Sequence, residues 1–361
     1  MSPAGNDTAG LLEATLEKLF SATSHPQARQ QAEAVGWAGD CWDALAEAGL
    51  AWVGVPEEAG GSGGTVPDAC TLVHLAGRHA VALPLAECSL VGGWLVAAAG
   101  LRLPGGPLAV AVPHRADRLA LDPAGRVSGQ LHRVPWGAQA AAVVALADSP
   151  DGPQVVLLDP AQAAVTPGRN VAGEPRDRLV VDQLPVPAER RRAVADTVGD
   201  ELAQRGALAR ALLLAGAMEA AAELTRRYAG ERHQFGRPIG SFQAVAQRLV
   251  CLSSEAEAAT LAAVVAAGRF AAVGVDARFE VAAAKATASR AASEVAAHAH
   301  QVHGAIGMTQ EYPLHHFTRR LWAWRQEWWS ERHAATVAGT EAVAAGADGL
   351  WPLVTSGQRA S

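Results

Sequence analysis

The chain has 361 residues, half of them apolar and only 18% charged, which is enough for a large core and two or three domains. A formal net charge of −6 gives no reason to expect nucleic acid or an anionic membrane as a partner. Lys18 and Lys285 are its only lysines, so Schiff-base chemistry and a Gly-Lys-Ser/Thr phosphate loop, each of which needs a well-placed lysine, are not expected.

Cys41, Cys70, Cys88 and Cys251 are widely spaced, with no Cys-x-x-Cys pair, and read as buried thiols rather than zinc ligands or a redox dithiol. The opening "MSPAGNDTAGLLEATLEKLF" shows no cationic, then apolar, leader. No unbroken apolar run of about 20 residues suggests a membrane span. A cytoplasmic protein is the expectation.

Residues 1–105 read as short helices joined by turns, with "QARQQAEAVGWAGDCWDALAEAGL" at helical spacing and Gly49 as its stop. From 106 to 193 the texture changes to short β-type runs: "LAVAV", "RVSGQLHRV", "AAAVVALA", "QVVLLD" and "RLVVDQLPV". Pro, Gly and Asp punctuate them, so this is a compact β insert rather than alternating β and α. Residues 194–361 are helical again. The segment 211–218 is apolar all round, as a helix buried in a bundle should be, and Glu219, Glu223 and Arg227 form a wetter stripe.

Four stretches invite chemistry. "GGSGGT" at 60–65 offers backbone amides to an anion, but without a lysine or a preceding buried strand it reads as a turn. "HAHQVH" supplies His298, His300 and His303, yet the first two point about 200° apart on a helix and cannot share one metal. "YAGERHQFGRPIGSFQ", 228–243, is either an ordinary interhelix turn or an anion site. There Arg232 offers a planar fork for phosphate and Phe235 a flat surface for a ring. In "QVHGAIGMTQEYPLHHFTRR", 301–320, Gln301 precedes Gly304 and Gly307, which permit close backbone approach or simply end a helix.

"RHQFG" and "QVHGAIG", in this order and after a helix-then-strand layout, resemble the acyl-CoA dehydrogenase family and its "R-x-x-F-G" and "Q-x-x-G-G-x-G" elements. "VPEEAGGSG" and "GRNVAGEPRDRLVVDQLPVP" extend the likeness over nearly the whole chain. The resemblance implies an α+β multidomain fold: an N-terminal helical domain, a central β-barrel-like domain and a C-terminal four-helix bundle, assembled as dimers of dimers. It implies FAD as cofactor and α,β-dehydrogenation of an acyl-CoA thioester, with electrons passing to an electron-transfer flavoprotein. Carried over by position, Arg232, Gln234 and Phe235 would contact a neighbouring subunit's FAD. Gln301, Gly304 and Ala305, the last replacing a glycine, would line the same groove.

The catalytic carboxylate is missing where the resemblance puts it. After "EYPL" and Arg320, ungapped counting places Trp328 at the base, followed by Trp329 and Ser330 in place of Gly-Thr. Glu327 lies one residue early, a rotation of about 100° on a helix. The alternative base position on the earlier helix falls at Gly206, with Glu201 and Glu219 out of register. "VAVPHRAD", 110–117, stands where a flavin loop is expected, and Arg133–Pro135 replaces a "W-I-T" element. Three readings follow. The chain is the non-catalytic subunit of an α2β2 enzyme, with Trp328 and Trp329 filling the acyl pocket; or a self-sufficient homotetramer using Glu327; or a flavin-free structural relative. An oxidase or monooxygenase on the same fold is a fourth.

Overall fold

The computed structural model describes residues 3–357. Two compact units divide the chain: one holds the chain up to Val73 with Ala82–Gly206, the other His74–Val81 with the chain from Ala207 onward.

The first unit opens with helices α1 (Pro3–Thr23), α2 (Pro26–Val35), α3 (Gly39–Glu47) and most of α4 (Val66–Arg78). Leu16, Phe20, Leu45 and Leu72 are fully buried, so the apolar stripes of α1, α3 and α4 face inward. A buried π-helical turn, Glu87–Val91, leads into α5 (Gly92–Ala98).

Eight strands follow: β1 (Leu108–Val110), β2 (Arg118–Leu121), β3 (Arg126–Pro135), β4 (Ala142–Ser149), β5 (Gly152–Leu158), β6 (Ala164–Thr166), β7 (Arg176–Pro185) and β8 (Arg191–Ala193). They form one mixed sheet in the order β6-β7-β3-β2-β4-β5-β8, with β1 parallel to β4. Leu119, Leu121, Val127, Val143, Val156, Leu179 and Val181 form its core. Short β2 was not among the runs expected from sequence. It pairs with β3 at Gly129, where an added Cβ would lie 1.9 Å from the Arg118 carbonyl oxygen. Two register shifts break the β3–β7 ladder, between Val127 and Gly129 and between Leu131 and Val134.

The second unit is helical: α6 (Val198–Glu231) from Ala207 on, α7 (Gln243–Val273), α8 (Arg278–His303), α9 (Leu314–Trp324) and α10 (Glu331–Ser356), the last bent at Gly346. Every residue of 207–218 is buried, as the all-round apolar pattern predicts. The end of α4 crosses α6 at backbone contact: a Cβ on Gly216 would stand 2.1 Å from the His74 carbonyl oxygen, and one on Gly77 2.3 Å from that of Leu213. α7 packs along α8 through Ala256, Ala259, Ala263, Ala266 and Phe270. The run Gln243–Met308 includes a stretch long and apolar enough, by composition, to cross a membrane.

Candidate functional site

At the end of α6 the chain turns into a two-residue hairpin, β9 (His233–Gln234) against β10 (Arg237–Pro238). Its turn residues Phe235 and Gly236 both have positive φ, +50° and +79°, the primed-turn geometry that matches strand twist. Phe235 is 92% exposed at the tip and stands at right angles to the ring of Phe242, which Arg237 covers from 4.2 Å. Among the described residues the exposed Arg232 guanidinium has no hydrogen-bond or ion-pair partner. An exposed aromatic in a left-handed conformation costs free energy twice, through strain and through hydration, unless another surface covers it.

The end of α8 packs on the last turns of α6. Gly304, with φ +63°, stops the helix, and Gln301, Gly304 and Ala305 are exposed. The anchor below them is aromatic: the buried His303 ring stacks on Tyr228 at 4.6 Å and meets Tyr312 at 4.7 Å. Tyr228 is one turn before Arg232, so this stack joins the two sequence-predicted elements into one surface. His303 Nδ1–H donates to the Ala299 carbonyl at 2.8 Å, leaving Nε2 as a buried acceptor without a partner. Burial holds the His303 imidazole below its ordinary pKa, so it stays neutral. The three histidines of "HAHQVH" do not converge: His298 approaches Glu294 and Arg248, while His300 Nε2 pairs with Thr318 Oγ1 at 2.9 Å.

The tryptophan loop joins α9 to α10. Trp328 has φ +59° and is 9% exposed, its indole N–H without a partner, while the Trp329 ring is tilted against that of His333 at 5.7 Å. Glu327 does not reach outward. Its Oε2 accepts from Arg210 Nε at 2.8 Å, both side chains buried. Lys285, fully buried on α8, donates to Ser289 Oγ at 2.7 Å and to the Arg325 carbonyl at 3.0 Å, and the Arg325 guanidinium pairs with Glu331 at 2.8 Å. Ser330 caps α10 by accepting from the His333 amide. The first half of the loop is therefore pinned by Lys285 of α8 and Arg210 of α6.

The other carboxylates near the expected base are committed as well. Glu201 pairs with Arg205 at 2.9 Å, and Gly206 is buried. Glu219 accepts from Thr260 at 2.8 Å and contacts His74 at 3.1 Å. Burial would raise the Glu219 pKa, but hydrogen bonds from His74 and Thr260 and the nearby Arg78 charge hold it below the usual range.

In the first unit the segments that stand in for flavin-facing elements bind each other. Arg133, with φ +52°, donates to the Pro113 carbonyl, and Asp117 accepts from the His132 amide at 2.8 Å. Trp136, the residue after the Arg133–Pro135 substitution, points its indole N–H at the Gly36 carbonyl, 2.7 Å away. The Pro135 nitrogen carries no proton to donate.

Residues 6–101 match the N-terminal domain of acyl-CoA dehydrogenases, and residues 200–325 the C-terminal domain. Over 322 residues the chain is 32% identical to acyl-CoA dehydrogenase IpdE2 of Mycobacterium tuberculosis, covering 86% of this chain and 89% of that one. The chain belongs to the acyl-CoA dehydrogenase family. Acyl-CoA dehydrogenase FadE27 of the same organism is 30% identical over 312 residues, 77% of this chain and 81% of the relative. Among solved structures, the ChsE4-ChsE5 complex from M. tuberculosis superposes with a TM-score of 0.86 at 24% identity, over 95% of this chain and 98% of that one. A variant of the Tcur3481-Tcur3483 steroid ACAD gives 0.81 at 26% identity, over 95% and 99%.

Members of the acyl-CoA dehydrogenase family are flavin-dependent oxidoreductases acting on acyl-CoA thioesters, with the helical, sheet and helical layout described above. Against that family's chemistry, the hairpin and Gly304 surface fits a dinucleotide. It offers an uncommitted guanidinium, two amide side chains, an open backbone at Gly304 and an unpaired buried acceptor beneath. The 110–117 and 133–135 segments do not fit, because their donors and acceptors are spent on one another. Sequence reasoning missed the Tyr228–His303–Tyr312 stack and the Arg210–Glu327 pair, which join residues remote in the chain. Lys285, a single lysine in an Ala-rich helix, was a visible anomaly that pointed to the buried network.

Proposed function

We propose that this chain is the non-catalytic half of a heteromeric, cytoplasmic, FAD-dependent acyl-CoA dehydrogenase, and that it completes the FAD site of a homologous catalytic subunit. One contrast carries the reading. Arg232, Gln234, Phe235, Gln301, Gly304 and Ala305 form an exposed surface, while Trp328 fills the expected base position and Glu327 is held by Arg210. Arg232 would pair with the diphosphate through its planar fork. Phe235 would cover a ring, and Gln234 and Gln301 would donate or accept at the nucleotide's polar edge. FAD, when bound, supplies the acceptor for the substrate's β-hydride.

The two-component make-up named for ChsE4-ChsE5 and Tcur3481-Tcur3483 supports the partner, and the latter's description as a steroid ACAD supports a bulky, steroid-derived acyl thioester. An electron-transfer flavoprotein would take the electrons. The self-sufficient alternative needs Glu327 as base, and its partnership with Arg210 weighs against that.

Flavin absorbance combined with light-scattering mass, on the chain alone and co-expressed with a homologous dehydrogenase, tests the reading. The expected result is a colourless lone chain that joins a tetramer holding one FAD per heterodimer. A yellow, active homotetramer of this chain overturns it. In the co-purified complex Arg232→Ala should lose flavin, and a complex that keeps its flavin would remove this chain from the site.

A further inference from the structure

A cluster in the first unit takes no part in that surface. The turn before β2 carries His114 and Asp117, and β3 carries His132. One ligand atom from each lies within 4.8 Å of the others. Asp117 is a hub: Oδ1 accepts from the His132 amide at 2.8 Å and meets His132 Nδ1 at 3.0 Å, and Oδ2 accepts from the His114 amide at 2.9 Å. The carboxylate is thus oriented by two backbone amides, the outer support that ligating groups generally have. The His114 and His132 rings face each other with centroids 4.6 Å apart, and the Ala116 amide donates to His114 Nδ1 at 3.2 Å. Asp117 and His132 are half-buried, whereas His114 is exposed, which leaves an entry path on one side.

Two imidazoles and one carboxylate within reach of one another form a donor set for late first-row divalent metals. The neighbourhood sharpens the choice. The Arg118 guanidinium donates to the Asp117 carbonyl at 2.6 Å and Arg133 to the Pro113 carbonyl, so these nearby carbonyl oxygens are already engaged. A hard ion such as Ca²⁺ or Mg²⁺, which wants several carboxylates and carbonyl oxygens, is poorly served there. An ion held by covalent preference for nitrogen is served better. We propose that His114, Asp117 and His132 bind one divalent metal ion of the zinc class, clamping the 113–117 turn onto β3. Binding requires the ligand atoms to close to roughly 3.3 Å of one another around bonds of about 2.0–2.2 Å. The exposed His114 ring makes that movement by side-chain rotation, and the ion takes the place of the proton shared by His132 and Asp117. The site needs neither FAD nor a partner subunit.

The test uses the full chain purified without a polyhistidine tag, titrated with Zn²⁺ against a chromophoric chelator. One saturable equivalent per chain is expected, weakened by His132→Ala and by Asp117→Asn beyond the roughly 10- to 100-fold that loss of an outer-shell partner gives. His114→Ala, at an exposed position, keeps the strand pairing intact and should also lose the equivalent; circular dichroism verifies its fold. Cu²⁺ substitution should give a paramagnetic resonance spectrum with two nitrogen ligands, reduced to one in His114→Ala. No saturable equivalent in the wild type, or wild-type affinity retained in both histidine variants, overturns the proposal as an adventitious ion only.

Discussion

Lys285 is the residue whose chemistry departs furthest from the ordinary. Burial, with the nearby Arg210 charge second, pushes its ammonium from 10.5 down to about 7. Below pH 7 the group is charged in both the folded and the unfolded chain, and the cost of burying that charge is fully present. Between about 7 and 10.5 the unfolded chain holds a proton the folded chain has released, so stability rises with pH across that window. Cys70 and Cys88, pushed up to about 12 by burial, oppose this only above pH 9. Urea midpoints measured from pH 6.5 to 8.5 should therefore rise for the wild type more steeply than for Lys285→Met, and the variant should be more stable at pH 6.5 by roughly 1–3 kcal/mol. Arg210 and Glu327 behave differently, because removing one partner strands the other charge. Glu327→Gln or Arg210→Ala should cost about 3–5 kcal/mol, while Arg210→Met combined with Glu327→Leu should cost much less. Equal losses in the single and double variants would show that the pair itself is not the source.

At the scale of elements, the meeting of α4 and α6 is set by two glycines. Gly216→Ala would press a methyl group onto the His74 carbonyl, and backbone on both sides leaves nothing flexible to yield. A loss of about 1–3 kcal/mol or more is expected, read from chemical denaturation. The hairpin after α6 obeys the opposite rule. Phe235→Ala, at an exposed tip, should leave the lone chain's stability within about 0.5 kcal/mol and act only on what covers that tip. These elements differ in how far sequence exposes them. α6 was readable because 211–218 is apolar all round. β2 was not, because four residues alternating outward and inward are too few to stand out. The hairpin was legible as a motif with Phe235 and Gly236 in it, but its positive φ values were not.

On the scale of the molecule, the solvent-facing side of α7 is the feature that asks for a partner. Val250, Leu261, Val264 and Val265 are exposed at helical spacing along one stripe, on a helix whose other face is packed on α8. Leu261→Asp with Val265→Asp should leave circular dichroism unchanged and lower the mass of the co-expressed assembly in light scattering. An unchanged tetramer would place the subunit contact elsewhere.

The sequence by itself determined the order of helical and strand segments, the family and the surface of Arg232, Phe235 and Gln301, since periodicity and short motifs are local properties. It also puts Trp328 where the resemblance expects a base, because that position can be counted from "EYPL" without any coordinates. Only the tertiary structure decided what those residues touch. That Glu327 is spent on Arg210, that Tyr228 and His303 weld two motifs into one surface, and that Lys285 holds the tryptophan loop are all contacts between distant segments. Such contacts arise from packing, where one buried charge must find whichever opposite charge or carbonyl the fold brings near, and chain order does not encode that distance.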